Sequence, residues 1–181
     1  MTTNRAQRLL QLLELKQIEE NLFLGENEPE NGARIFGGQV LAQASMAAYR
    51  TVTDLDVHSM HAYFLRPGDS SKRVLYEVER IRDGRSFTTR RVVAIQSGQA
   101  IFNMDVSFQG VEPGLDQSLP IPNVPLPTEL QEDRAVAIKL GGAKADPRLS
   151  PMAKTERPFE LRSVFEFCLL YTSPSPRDSS Q

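Results

Sequence analysis

Residues 36–52 read FGGQVLAQASMAAYRTV, and their periodicity decides the class of fold. Gln39 to Tyr49 is built largely of helix formers, with apolar side chains nearly all the way round. A helix of that kind is buried on most of its sides. Ala42, Ala44, Ala47 and Ala48 are small enough for a curved sheet to close around it. The Gly37-Gly38 pair ahead of it supplies a tight corner. The stretch therefore predicts a buried helix over 39–49, entered through a glycine turn.

Four strand-like segments follow with no helix between them: Val57–Leu65, Arg73–Ile81, Phe87–Gln96 and Ala100–Phe108. Their connections are short and turn-like, at Arg66-Pro67-Gly68-Asp69, Asp83-Gly84 and Ser97-Gly98. Strands joined by tight turns are antiparallel. In the last segment Phe102, Met104, Val106 and Phe108 share one face against Asn103, Asp105 and Ser107. One buried helix against an antiparallel meander is an α+β layout. Upstream, 5–15 reads as a short amphipathic helix and Ile18–Leu24 as a strand, with Ile18, Leu22 and Leu24 as its apolar positions.

The character changes after Gln109. Five of the twelve prolines fall in 110–127, which excludes helix and central strand there. The expected organisation is a compact domain over 1–109 and a Pro-rich linker over 110–127. The segment 128–167 follows, weakly helical over 128–144 and ending in ERPFELRSVFEF, which reads as the opening strand of a further domain. The final 168–181, CLLYTSPSPRDSSQ, is of another kind. The eleven residues Cys168–Asp178 can be written in codons that spell a transposase sequencing adapter in frame. A Ser/Pro-rich tail is the alternative. On the adapter reading the native text ends near Phe167, and Cys168, the single cysteine, carries no meaning.

Composition narrows the classes. Of 181 residues, 40% are hydrophobic and 24% charged, which is enough for a packed core and unlike a disordered chain. A net charge of −2 argues against a general nucleic-acid binder. No apolar run approaches the roughly 20 residues that span a bilayer, and the N-terminus lacks the apolar core of a signal peptide. One cysteine makes no internal disulfide, so a cytoplasmic location is expected.

Several residues could carry chemistry. At strand period 2, His58 points with Met60, Ala62 and Phe64, while His61 points with Ser59 and Tyr63. Opposite faces argue against a shared metal, and no further His or Cys completes a metal site. His58 could act as a base or be a satisfied core histidine. Gly37, Gly38 and Gln39 open the helix, whose free N–H groups could hold an anion or a developing oxyanion; a plain tight turn explains them as well. Residues 66–91 hold eight Lys/Arg and four acids, and Arg66, Arg82 and Arg85 on its turns suit a phosphorylated ligand. Solvated strand faces are the alternative. No Gly-x-Ser-x-Gly elbow and no Walker loop occurs.

The stretches FGGQVLAQA, VHSMHAYFLRPGD, RDGRSFTTRRVVAIQ and IFNMDVSFQ, in this order, resemble the first half of the acyl-CoA thioesterase II family. ERPFELR resembles its middle segment, and the likeness runs from about Leu9 to Phe167. The resemblance implies the hotdog fold, a long antiparallel sheet around a central helix, present twice in family members. It implies hydrolysis of fatty acyl-CoA to fatty acid and CoA, with no cofactor and no covalent acyl-enzyme. An Asp, a Ser or Thr, and a Gln activate the water in that family, and they belong to the second repeat, for which this sequence has no positions. The first repeat supplies part of the acyl and CoA groove and pairs with another hotdog, with homo-oligomers expected of the intact enzyme. His58 matches a first-repeat histidine that has been a candidate for activity. The chain is thus expected to be an N-terminal half, inactive alone. A non-catalytic hotdog that binds acyl-CoA or only pairs is a second reading. A hotdog dehydratase or hydratase is a third, but it asks for an Asp/His pair beside the helix where Gln39 and Gln43 stand.

Overall fold

The computed structural model describes residues 5–27, 34–140 and 159–164. The chain divides into two compact units, 1–116 and 117–181. In the first, helix α1 (Arg5–Leu13) and strands β1 (Lys16–Glu19) and β2 (Leu22–Gly25) precede helix α2 (Gly37–Tyr49). Strands β3 (Asp56–Phe64), β4 (Val74–Asp83), β5 (Phe87–Gln96) and β6 (Gln99–Gln109) follow. All six strands form one antiparallel sheet in the order β1-β2-β4-β5-β6-β3.

The helix and the α+β layout are as the sequence implies, and the packing explains why. Phe102, Met104, Val106 and Phe108 of β6 are buried beside Val92 and Ala94 of β5 and Val74, Tyr76 and Val78 of β4. Val40, Ala44, Ala47 and Ala48 bring α2 down on that face, and Tyr49 meets Phe108 edge-on at 5.2 Å. Three alanines at the contact let the helix axis approach the sheet closely. Each fully buried Phe or Val there contributes about 1.5–3 kcal/mol of transfer free energy. Ala42 and Ser45, on the far side of α2, are only half-buried, while Leu41 and Met46, also half-buried, pack against the core from its flanks.

Three expectations are corrected. Ile18–Leu24 is a hairpin rather than one strand: β1 and β2 pair around a turn at Glu20-Asn21. Phe23 is the core residue, fully buried, while Ile18 stays 47% exposed. Nor is the sheet a simple meander. β3 pairs with β6 and not with β4, so the connection over 65–73 runs past the ends of β6 and β5 instead of closing a hairpin. Hydrogen bonds hold that connection: Leu65 N–H donates to Ile101 O at 2.9 Å, and the Gln96 amide exchanges bonds with Asp69 N–H and Asp69 O at 2.8 and 2.9 Å. Finally, a β-bulge between Val57 and Ser59 breaks the period of β3.

In the second unit no regular structure forms from Gln117 to Leu126, as its prolines dictate. A 3-10 turn (Pro127–Glu129) and helix α3 (Asp133–Lys139) follow. The Asp133 carboxylate accepts from Ser163 N–H at 2.7 Å and from Ser163 Oγ at 2.8 Å, which ties 159–164 to α3. Residues 159–164 form no strand. The rest of the expected strand, and the 168–181 tail with Cys168, lie outside the described residues.

Candidate functional site

Helix α2 begins at Gly37, and no side chain caps it. Its first N–H groups therefore leave the helix end as donors beside the positive end of the dipole. Two aromatic rings flank them. A Cβ on Gly37 would lie 3.0 Å from Cε1 of Phe64, and one on Gly38 would lie 2.4 Å from Cε1 of Phe36. Glycine is what lets both rings lie against the helix entrance. Phe36 is 76% and Phe64 60% exposed, so the entrance is apolar-walled and open.

Gln39 stands at the same place with its side chain engaged. Its Nε2 donates to Asn27 Oδ1 at 2.8 Å and to Glu26 O at 3.3 Å. One turn on, Gln43 is fully buried, donating to Glu26 O at 2.9 Å and Leu12 O at 2.6 Å and accepting from Tyr76 Oη at 2.7 Å. Burial pushes the Tyr76 phenol far up from its ordinary value. This buried network holds the chain leading into α2, and the sequence reading passed over it. Its available signal was a pair of glutamines at i, i+4 in an otherwise apolar helix.

The remaining sequence candidates are divided between two ends of the sheet. Arg66 lies near the α2 entrance, donating from Nη1 to Ala100 O at 2.7 Å and from its N–H to Ile101 O at 3.1 Å. Arg82 and Arg85 lie at the opposite end, where Asp83 pairs with Thr88 and Thr88 with Phe108. Seven residues of β6 separate those positions, roughly 23 Å at about 3.3 Å per residue. One phosphate cannot reach all three arginines. Arg85 instead borders an open cleft with Thr51, Leu55, Arg80, Asp83 and Arg90, where α2 ends.

His58 is not on the helix side. The bulge adds a residue between Val57, which pairs with Phe108, and Ser59, which pairs with Ser107. His58 therefore turns to the outer face, its Nε2 3.0 Å from Ser107 Oγ and its ring 5.6 Å from that of Phe87. His61 is on that face too, opposite Asp105 and 4.8 Å from the Tyr63 ring. The period-2 assignment to opposite faces is thus overturned by one inserted residue. His58 also stands about five strand residues, roughly 16 Å, from Phe64 and the α2 entrance. An Asp/His pair beside α2, as a dehydratase would use, is not what these histidines form. Among the described residues no three His, Cys, Asp or Glu cluster as metal ligands, and no helix is long and apolar enough to cross a membrane.

Comparison with known proteins places this architecture. The family profile described as acyl-CoA thioesterase N-terminal domain matches residues 27–109. Acyl-CoA thioesterase 2 of Haemophilus influenzae is 38% identical over 158 residues, covering 87% of this chain and 55% of that protein. The solved acyl-CoA thioesterase II TesB2 of Mycobacterium marinum is 41% identical with a TM-score of 0.61, over 66% of this chain and 45% of the other. A hot dog fold protein from Alicyclobacillus acidocaldarius shares the fold at 18% identity, with a TM-score of 0.61 over 69% of this chain and 48% of the other. The chain spans about half the length of the relatives it matches. With a hotdog sheet, its helix and the profile match over 27–109, that part of the chain is similar to the N-terminal domain of acyl-CoA thioesterases.

Proposed function

We propose that this chain is the first hotdog of a fatty acyl-CoA hydrolase, and that the residues activating water come from a second hotdog paired with it. The observation that carries the reading is the α2 entrance: uncapped N–H donors between the Phe36 and Phe64 rings, in a chain similar to that domain. Such donors suit the thioester carbonyl, whose oxygen gains negative charge when water attacks. The exposed rings suit the acyl chain, and Arg66 nearby suits a CoA phosphate. Gln39 is engaged by Asn27, and His58 is about 16 Å away along the strand, which supports a source for the water-activating groups outside this hotdog. Water is the only co-reactant, and the cytoplasm is the proposed compartment.

Thiol release from medium-chain and long-chain acyl-CoA tests it. The chain alone should show no turnover above background, and joining it to the second repeat of a relative should restore hydrolysis. Clear turnover by the chain alone would overturn the division of labour. An inert joined protein that still binds acyl-CoA would favour the non-catalytic binding module, a reading to which the engaged Gln39 side chain also lends itself.

A further inference from the structure

The cleft bordered by Arg85 lies between two walls. One is the loop 51–55 that follows α2, and the other is the end of the β4–β5 hairpin, 83–88. It encloses about 390 Å³, toward the small end of the roughly 300–1,000 Å³ usual for ligand sites. Three of its polar groups have no partner among the described residues. Thr88 is only 4% exposed, yet nothing bonds its hydroxyl. The Arg85 guanidinium makes no hydrogen bond or ion pair. Nor does the Asp54 carboxylate, and Asp54 is held at φ 57, in the left-handed region that few residues other than glycine enter. Buried hydroxyls are normally bonded, and strained backbone gathers where ligands are held. The other charged groups of the cleft are already engaged. Arg90 is committed to Thr51, Arg82, Thr89 and Asp83, and Arg80 is held by Asn21 and Glu20.

We propose that this cleft binds a free α-amino acid with an apolar side chain. The proposal goes beyond the hydrolase reading and does not depend on it, since the cleft stands at the opposite end of the sheet from the α2 entrance. An α-amino acid carries a carboxylate and an ammonium on one carbon, which complements a guanidinium and a carboxylate that share a cleft unpaired. Arg85 takes the ligand carboxylate, which the forked N–H groups of a guanidinium suit. The Thr88 hydroxyl donates to the same group. Asp54 accepts from the ammonium, with the Asp83 oxygen that Arg90 leaves free as a second acceptor. Half-buried Val52 and Leu55 supply an apolar wall for the side chain. A bare anion would meet Asp54 and Asp83, and a bare cation would meet Arg80 and Arg85. A ligand with both charges is opposed by neither pair.

Isothermal titration calorimetry of the chain with L-leucine tests this. Binding is expected with a dissociation constant of about 1 mM or tighter. L-Leucinamide has no carboxylate and N-acetyl-L-leucine no ammonium, and each should bind about tenfold more weakly. Arg85→Gln and Asp54→Asn should each weaken L-leucine binding by about tenfold as well. Their melting temperatures should stay unchanged, because both side chains are exposed and asparagine also tolerates left-handed backbone. Thr88→Val keeps the shape, removes the hydroxyl and should weaken binding too. L-Leucine that does not bind overturns the proposal. N-acetyl-L-leucine or inorganic phosphate binding as tightly as L-leucine shows an anion site, and L-leucinamide doing so shows a cation site; either overturns it. Binding that survives in both Arg85→Gln and Asp54→Asn shows that the cleft is not the place.

Discussion

Arg90 holds Thr51 by two groups at once: its Nε donates to Thr51 Oγ1 at 2.8 Å and its Nη2 to Thr51 O at 3.0 Å. Nη1 serves Arg82 O and Thr89 O at 3.1 and 3.0 Å, and Asp83 accepts from Nη2. The guanidinium is 1% exposed on the helix face of β5, so it fastens the end of α2 to the β4–β5 hairpin. Arg90→Met should cost about 3 kcal/mol, because several carbonyls lose a buried partner. Asp83→Asn should cost less than about 1 kcal/mol, since Asp83 is 59% exposed and water can replace its bond. Urea denaturation of both variants checks this, and equal losses would show that the ion pair, not the fork of bonds to carbonyls, does the fastening.

Tyr76→Phe leaves Gln43 Oε1 buried without its donor, and should cost about 1–3 kcal/mol. It should also change the response to alkali. The folded phenol is held protonated, whereas the unfolded one ionises near its ordinary value of about 10. Stability is therefore intact below about pH 10 and lost as pH rises beyond it. Thermal melts at rising pH should show that loss in the wild type and less of it in Tyr76→Phe.

Glycines at two places should respond unequally to alanine. A Cβ on Gly25 would lie 2.7 Å from Gln43 Oε1 and 2.9 Å from Tyr76 Cε2, both in fully buried side chains. Gly25→Ala should cost about 2–3 kcal/mol by overpacking. A Cβ on Gly38 meets only the exposed Phe36 ring, which can swing away, and alanine is the better helix former. Gly38→Ala should change stability by less than about 1 kcal/mol while disturbing the α2 entrance, so acyl-CoA hydrolysis by the joined protein should fall further than its melting temperature.

The Asp69 carboxyl is held below the usual range, first by the Ser71 hydroxyl and then by Ser71 N–H, with Lys72 adding to the effect. A lowered folded value gives stability that is present above the ordinary carboxylate value of about 3.9 and lost as pH falls through the folded one. Asp69→Asn should flatten the acid limb of the stability profile below about pH 4 and leave the neutral region nearly unchanged. An unaltered acid limb would remove Asp69 from the account.

How much of this was legible is clearest residue by residue. The β6 alternation from Phe102 to Phe108 and the alanine-rich run of α2 are local periodicities, and they alone imply a helix against an antiparallel sheet. The four ordered motifs also carry the family likeness, because they are strings rather than shapes. Which chemistry-bearing residues meet was not legible. His58 changed faces because of a single bulge, which period-2 counting cannot anticipate. Arg66 and Arg82 stand at opposite ends of the sheet because β4 runs its full length between them, a separation that strand length alone sets. Arg90 and Gln43 became buried polar centres because their partners, Thr51 and Tyr76, arrive from other elements. The sequence by itself determined the central helix, the four later strands, the alternating faces of β6 and the family likeness, since each depends on neighbours along the chain. Only the tertiary structure decided strand order, the outward turn of His58 and the burial of Arg90 and Gln43, since pairing register and burial depend on neighbours in space.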